Sequence, residues 1–157
     1  MKRKGVCLVL VMMLMLGVVG STAVAANRPG SVVSTDVRMD LDKFINLEYE
    51  KVMSSRLSLY VKPFIGLGLG FTDMGAMAGA KYYLQGTAPE GLWIGGFGFV
   101  EYCSLIGFSE TVFGGAANAG YKYFITDKFT VESNAGLINV SGGGFQLTWG
   151  INVGMAL

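Results

Sequence analysis

Along most of this chain, large apolar residues alternate with small or polar ones. The final stretch, GGFQLTWGINVGMAL, shows it most cleanly. Phe145, Leu147, Trp149, Ile151, Val153, Met155 and Leu157 are separated by Gln146, Thr148, Gly150, Asn152, Gly154 and Ala156. A period of two belongs to a β-strand with one apolar and one polar face. Strands in globular proteins usually run about five or six residues, and this one is roughly twice as long.

The same alternation, interrupted at turn-like residues, predicts eight strands. The first spans 32–41, with Val33, Thr35, Val37, Met39 and Leu41 opposite Ser34, Asp36, Arg38 and Asp40. After DLDK comes 44–52, where Ile45, Leu47 and Tyr49 oppose Asn46, Glu48 and Glu50. Segment 57–69 opposes Leu57, Leu59, Val61, Ile65 and Leu67 to Ser58, Tyr60, Lys62, Phe64 and Gly66. Segment 74–84 carries Met74, the alanines 76, 78 and 80, Tyr82 and Leu84 against Lys81 and Tyr83. The loop QGTAPEG leads to 92–103, where both faces are apolar or glycine and only Glu101 sets the phase. Segments 110–124 and 128–138 flank the turn at Thr126-Asp127, and the final strand follows NVSGGG. Pro63 is a misfit inside the third segment, because proline removes a ladder hydrogen bond; a bulge or a shifted boundary is expected there.

Most segments have nine to thirteen residues, and a tilted strand crosses hydrocarbon with about 9–11. An even number of strands suits a closed barrel, and in lipid an open sheet edge would leave backbone groups unsatisfied. The predicted fold is therefore all-β, a closed antiparallel up-and-down transmembrane barrel of about eight strands. Lipid would meet its apolar face, and its polar face would line the lumen. The alternative is a soluble barrel of the lipocalin kind binding an apolar ligand inside. Against it stand a polar face dominated by glycine and single charges, and a set of aromatics at strand ends. Tyr82, Tyr102, Tyr121 and Tyr123, with Trp149, are the candidate interfacial girdle.

The start of the chain fits this location. MKRKGVCLVLVMMLMLGVVGSTAVAAN has three basic residues, an apolar run, and the small residues Ala23 and Ala25 at a cleavage site. This predicts a signal peptide over 1–25 and a barrel domain over 26–157. The rival, an uncleaved membrane helix, is disfavoured by the short apolar run and the cleavage motif directly after it.

Cleavage would remove three of the twelve basic residues and leave nine against eleven acidic ones, a net charge of −2. That is no footprint for nucleic acid. Cys103 would be the remaining cysteine, so an intramolecular disulfide is excluded.

The export signal, the eight alternating segments, the GYKYFITDKFTVES hairpin (120–133) and the apolar last strand together resemble the small outer-membrane barrels of the OmpA/OmpX/opacity-protein group. The resemblance covers the barrel domain and rests on pattern. It implies residence in the outer membrane of a diderm bacterium, with membrane lipid and the barrel-assembly machinery as partners. Such barrels often end in phenylalanine, whereas this chain ends in Leu157.

Chemistry is sparse. The chain has no histidine, which excludes the Ser-His-acid triad of lipid-modifying barrels. GLGLG, GGFGF and SGGG are glycine-rich, but none opens a helix able to bind phosphate. Glu48 and Glu50 share a strand face and suggest an acid/base pair less than partners for lumen cations. No cofactor or metal site is expected, nor enzymatic activity. What remains is the polar face: Asp36, Arg38, Asp40, Glu48, Glu50, Lys62, Lys81, Glu101, Glu110, Lys122 and Glu132. Buried charges of mixed sign must pair, and eight strands enclose a space that side chains just fill. The expectation is a barrel with a plugged lumen and an envelope-structural or surface-interaction role, the alternative being a narrow channel for ions or small solutes.

Overall fold

The computed structural model describes residues 29–41, 43–68, 71–105 and 108–157. The expected signal peptide, with Ala23 and Ala25, lies outside them. The described chain forms β1 (Ser31–Asp36), α1 (Val37–Leu41), β2 (Phe44–Asn46), β3 (Glu48–Val52), β4 (Leu57–Gly68), β5 (Phe71–Tyr83), β6 (Gly91–Leu105), β7 (Phe108–Phe124), β8 (Phe129–Val140) and β9 (Phe145–Ala156). Each strand pairs antiparallel with its neighbours, and β1 pairs with β9, which closes the sheet.

β2 and β3 are two pieces of one barrel strand. Phe44 opposes Gly66 and Tyr49 opposes Val61, so both pieces keep a single register on β4. The break between them falls at Leu47, whose N–H donates to the Pro63 carbonyl at 3.3 Å. Pro63 has no N–H to return the bond. The expected bulge or shifted boundary is therefore absent: the ladder runs through Pro63 in register and lacks one hydrogen bond. Counted this way, the fold is a closed antiparallel barrel of eight strands.

The predicted segments differ from the observed strands by a few residues at most, with one exception. The first does not stay extended to residue 41, because the chain turns into α1 after Asp36. Asp36 Oδ1 accepts the N–H groups of Arg38 (3.0 Å) and Met39 (3.4 Å), as a helix cap does. Asp40 accepts the Thr35 hydroxyl and an Asn46 amide N–H, fastening the other end. The helix returns through Lys43, which adopts a positive φ of 70°.

The barrel is inside-out relative to a soluble protein. Its least accessible large side chains include Glu50 (0% exposed), Lys81 (1%) and Lys122 (1%). Its exterior carries Leu59, Val61, Ile94, Val100, Phe113, Leu137 and Ile151, with Phe145 at 76% and Leu147 at 72% exposed. A small apolar cluster, Tyr83, Ala88 and Trp93, is buried at the end where β5 meets β6. There Gly91 opens β6 at a positive φ of 116°, and any Cβ on it would collide with the Gln85 carbonyl.

Candidate functional site: the lumen

Two zones fill the lumen. In the half nearer the start of β1 and the end of β9, inward-facing charges form one network around Lys81. Its Nζ lies 2.7 Å from Glu48 Oε1, 3.0 Å from Glu50 Oε2 and 2.9 Å from Glu132 Oε2. The rings of Tyr60 and Trp93 lie across it, each centroid 5.0 Å from Nζ. Lys122 pairs with Glu50 and, at 3.0 Å, with Glu132. Lys62 bridges Glu48 at 3.0 Å and Asp36 at 3.7 Å. Neutral groups occupy the remaining lone pairs: Ser58 (2.5 Å) and Tyr83 (2.8 Å) donate hydroxyls to Glu50, and Asn152 donates its amide to Glu132 at 2.8 Å.

The network touches every barrel strand: Asp36 on β1, Glu48 and Glu50 on β3, Lys62 on β4, Lys81 on β5, Trp93 on β6, Lys122 on β7, Glu132 on β8 and Asn152 on β9. The alternation explains why these side chains point inward; the register between strands explains why they meet. Lys81 and Glu132 are 51 residues apart.

The other half of the lumen is aromatic. Phe44 and Phe64 meet edge-on with centroids 6.0 Å apart, and Phe97 lies 6.5 Å from both Tyr60 and Phe99. Facing glycines make room for these rings. A Cβ on Gly75 would sit 2.5 Å from the Phe64 ring, and one on Gly66 would sit 2.6 Å from the Phe44 ring. Composition alone shows only abundant glycine; the pairing of each glycine with a ring depends on cross-strand register. Between the zones a cavity of about 50 Å³ remains, bordered by Asp36, Arg38, Met39, Lys62 and Thr148. That is room for a few water molecules.

Not every expected lumen charge joins the network. α1 takes Arg38 and Asp40 off the strand. Arg38 is half-buried at the cavity, its guanidinium 5.6 Å from the Trp149 ring, while Asp40 is exposed. Glu101 has the expected phase, but its position along β6 places it towards the opposite end from Lys81, where it converges with Asp73 and Cys103. Glu110 is exposed near the start of β7. Of the candidate girdle, Tyr82, Tyr102, Tyr123 and Trp149 are exposed on the exterior, whereas Tyr121 is buried.

The carboxylates of Glu48, Glu50 and Glu132 approach within 4.8 Å of one another, a spacing that would suit a metal ion. Lys81 Nζ already bonds to all three and occupies that role. Each of the three carboxylates lies within 3.0 Å of that ammonium. The arrangement is suited to bracing the wall. No protein-family model matches the chain, and no curated protein matches it.

Proposed function

We propose that this chain is an integral outer-membrane barrel, non-enzymatic, whose packed polar interior serves stability and whose role is envelope-structural or surface-interacting. One observation carries the reading: Glu50, Lys81 and Lys122 are buried while Phe145, Leu147 and Ile151 are exposed. An aqueous exterior of that composition would be a large contiguous apolar patch on a monomer. Hydrocarbon removes the penalty, and the same solvent requires the closed ladder. Strands of 12 to 17 residues from β4 to β9 have sufficient reach. At about 3.4 Å per residue and about 40° tilt, even twelve residues rise about 30 Å, against an apolar band of about 25 Å. The N-terminal basic and apolar residues support export, and barrel-assembly machinery would then insert the chain.

The packing also favours a closed lumen over the channel alternative, since aromatic rings fill one half and paired charges the other. Two experiments test the proposal. The protein should fractionate with outer membranes and migrate differently on gels when boiled and unboiled; recovery in the soluble periplasmic fraction would refute it. In planar bilayers it should give no large, long-lived openings, and reproducible porin-like steps would restore the channel reading.

A further inference from the structure

The outer wall is recessed in one place. On β5, β6 and β7 the outward positions between the large residues at either end are alanine or glycine. Cross-strand register brings them together: Ala80 opposes Gly96, Gly96 opposes Ala117, and Ile94 opposes Ala119. The result is an exterior groove of about 680 Å³, rimmed by Leu57, Tyr82 and Leu137. It crosses the wall from β4 to β8, four strand spacings or about 19 Å. Positive charge stands at its β4 end. Among the described residues every carboxylate on β3 to β8 belongs to the inward set of the alternation, and Lys51 is the one charged residue on their outer faces. Lys51 opposes Leu59, and Arg56 precedes Leu57 at the turn-side end of β4. The Arg56 carbonyl accepts the Tyr83 N–H at 2.8 Å, which fixes its backbone beside the groove rim. Both basic side chains are exposed, and neither pairs with a carboxylate among the described residues.

We infer that this groove binds one phospholipid with an anionic headgroup, its acyl chain over Ala80, Gly96 and Ala117 and its phosphate against Arg56 and Lys51. The inference rests on the membrane reading above and adds a ligand class and a place on the wall. Lipid tails are as apolar as the wall, so association there depends on close packing, which small residues permit. A floor of methyl groups and glycine lets an unbranched chain lie against the backbone, while the rim side chains hold it from both sides. The charges supply the headgroup preference. A cation on a hydrocarbon-facing wall extends its stem along the apolar surface and places its head at the interface, where it requires an anion. Guanidinium presents paired N–H donors that match phosphate oxygens. A zwitterionic headgroup carries its own ammonium beside the phosphate and competes with these side chains, so the site favours a headgroup with net negative charge.

The test uses the full chain refolded in vesicles of equal parts phosphatidylcholine and phosphatidylglycerol, extracted in mild detergent and weighed by native mass spectrometry. One lipid should remain on each barrel, phosphatidylglycerol several-fold more often than phosphatidylcholine. Lys51→Gln with Arg56→Gln should bring the two lipids to near-equal retention. Ala117→Leu with Ala119→Leu fills the floor and should abolish retention of either. All four positions are exposed, and the gel shift between boiled and unboiled samples checks that each variant is folded. Equal retention of both lipids by the unaltered protein, or no retained lipid, would overturn the inference. So would an unchanged preference in the glutamine pair or unchanged retention in the leucine pair. A dimer mass that the leucine pair abolishes would assign the groove to a second copy and overturn it as well. Failure to insert into vesicles would refute the membrane barrel and the site together, whereas an inserted barrel without lipid preference would refute the site alone.

Discussion

Lys81→Met is the sharpest single perturbation of the lumen. Methionine keeps most of the stem's volume and removes the ammonium that binds Glu48, Glu50 and Glu132 within 3.0 Å. Those carboxylates lie within 4.8 Å of one another. At an effective dielectric constant of about 20, two like charges at that distance repel by about 3.5 kcal/mol. Lys62 and Lys122 remain and offset part of this repulsion. Breaking a buried ion pair by removing one partner typically costs about 3–5 kcal/mol, so the loss should fall in that range. Urea unfolding in vesicles, followed by gel mobility and far-UV circular dichroism, measures it. Adding Glu132→Gln to Lys81→Met removes one carboxylate charge while keeping an acceptor for Asn152. That double variant should recover about 1–2 kcal/mol, within the range of coupling between contacting residues. A Lys81→Met loss below about 1 kcal/mol, comparable to an exposed ion pair, would refute the bracing argument. So would a double variant weaker than the single.

Three further outcomes follow from the geometry. Ile151→Arg places a guanidinium on the exterior and should destabilise the barrel in lipid by about 2–4 kcal/mol by the same unfolding assay; a smaller effect near the bilayer centre would undo the assignment of faces. Asn152→Leu removes the amide donor to Glu132 (2.8 Å) and should cost about 1–3 kcal/mol. Pro63→Val introduces an N–H opposite the Leu47 carbonyl and should gain up to about 1 kcal/mol, and this new amide should be protected from exchange; rapid exchange of the amide introduced at residue 63 would mean that the register does not run through it.

The barrel was legible because a period-two pattern survives along the chain. Leu59 or Val61 beside Ser58, Tyr60 and Lys62 identifies two faces without knowledge of any partner strand. Height along a strand is not encoded in that way. Glu101 and Lys81 share a face assignment, yet cross-strand register separates them, and only the paired structure shows it. Segment 92–103 hid its inward rings because Trp93, Phe97 and Phe99 alternate with residues that are also apolar or glycine. The helix at 37–41 was hidden for a different reason. Arg38 and Asp40 fit the strand alternation, while Asp36 and Asp40 also supply the side-chain bonds that hold a short helix, and local pattern does not choose between them.

The two tryptophans permit the most direct test of the inside-out arrangement. Trp93 is 3% exposed inside the barrel, whereas Trp149 is 47% exposed on the exterior, and the chain has no others. The measurement is fluorescence of Trp93→Phe and Trp149→Phe variants refolded into vesicles of phosphatidylcholine brominated on its acyl chains. The Trp93→Phe protein, which retains Trp149, should be strongly quenched relative to unbrominated vesicles. The Trp149→Phe protein, which retains Trp93, should be nearly unaffected. Absence of quenching at Trp149 in folded protein would mean that its exterior does not meet hydrocarbon, and stronger quenching at Trp93 than at Trp149 would invert the two faces; either result contradicts the membrane barrel proposed above.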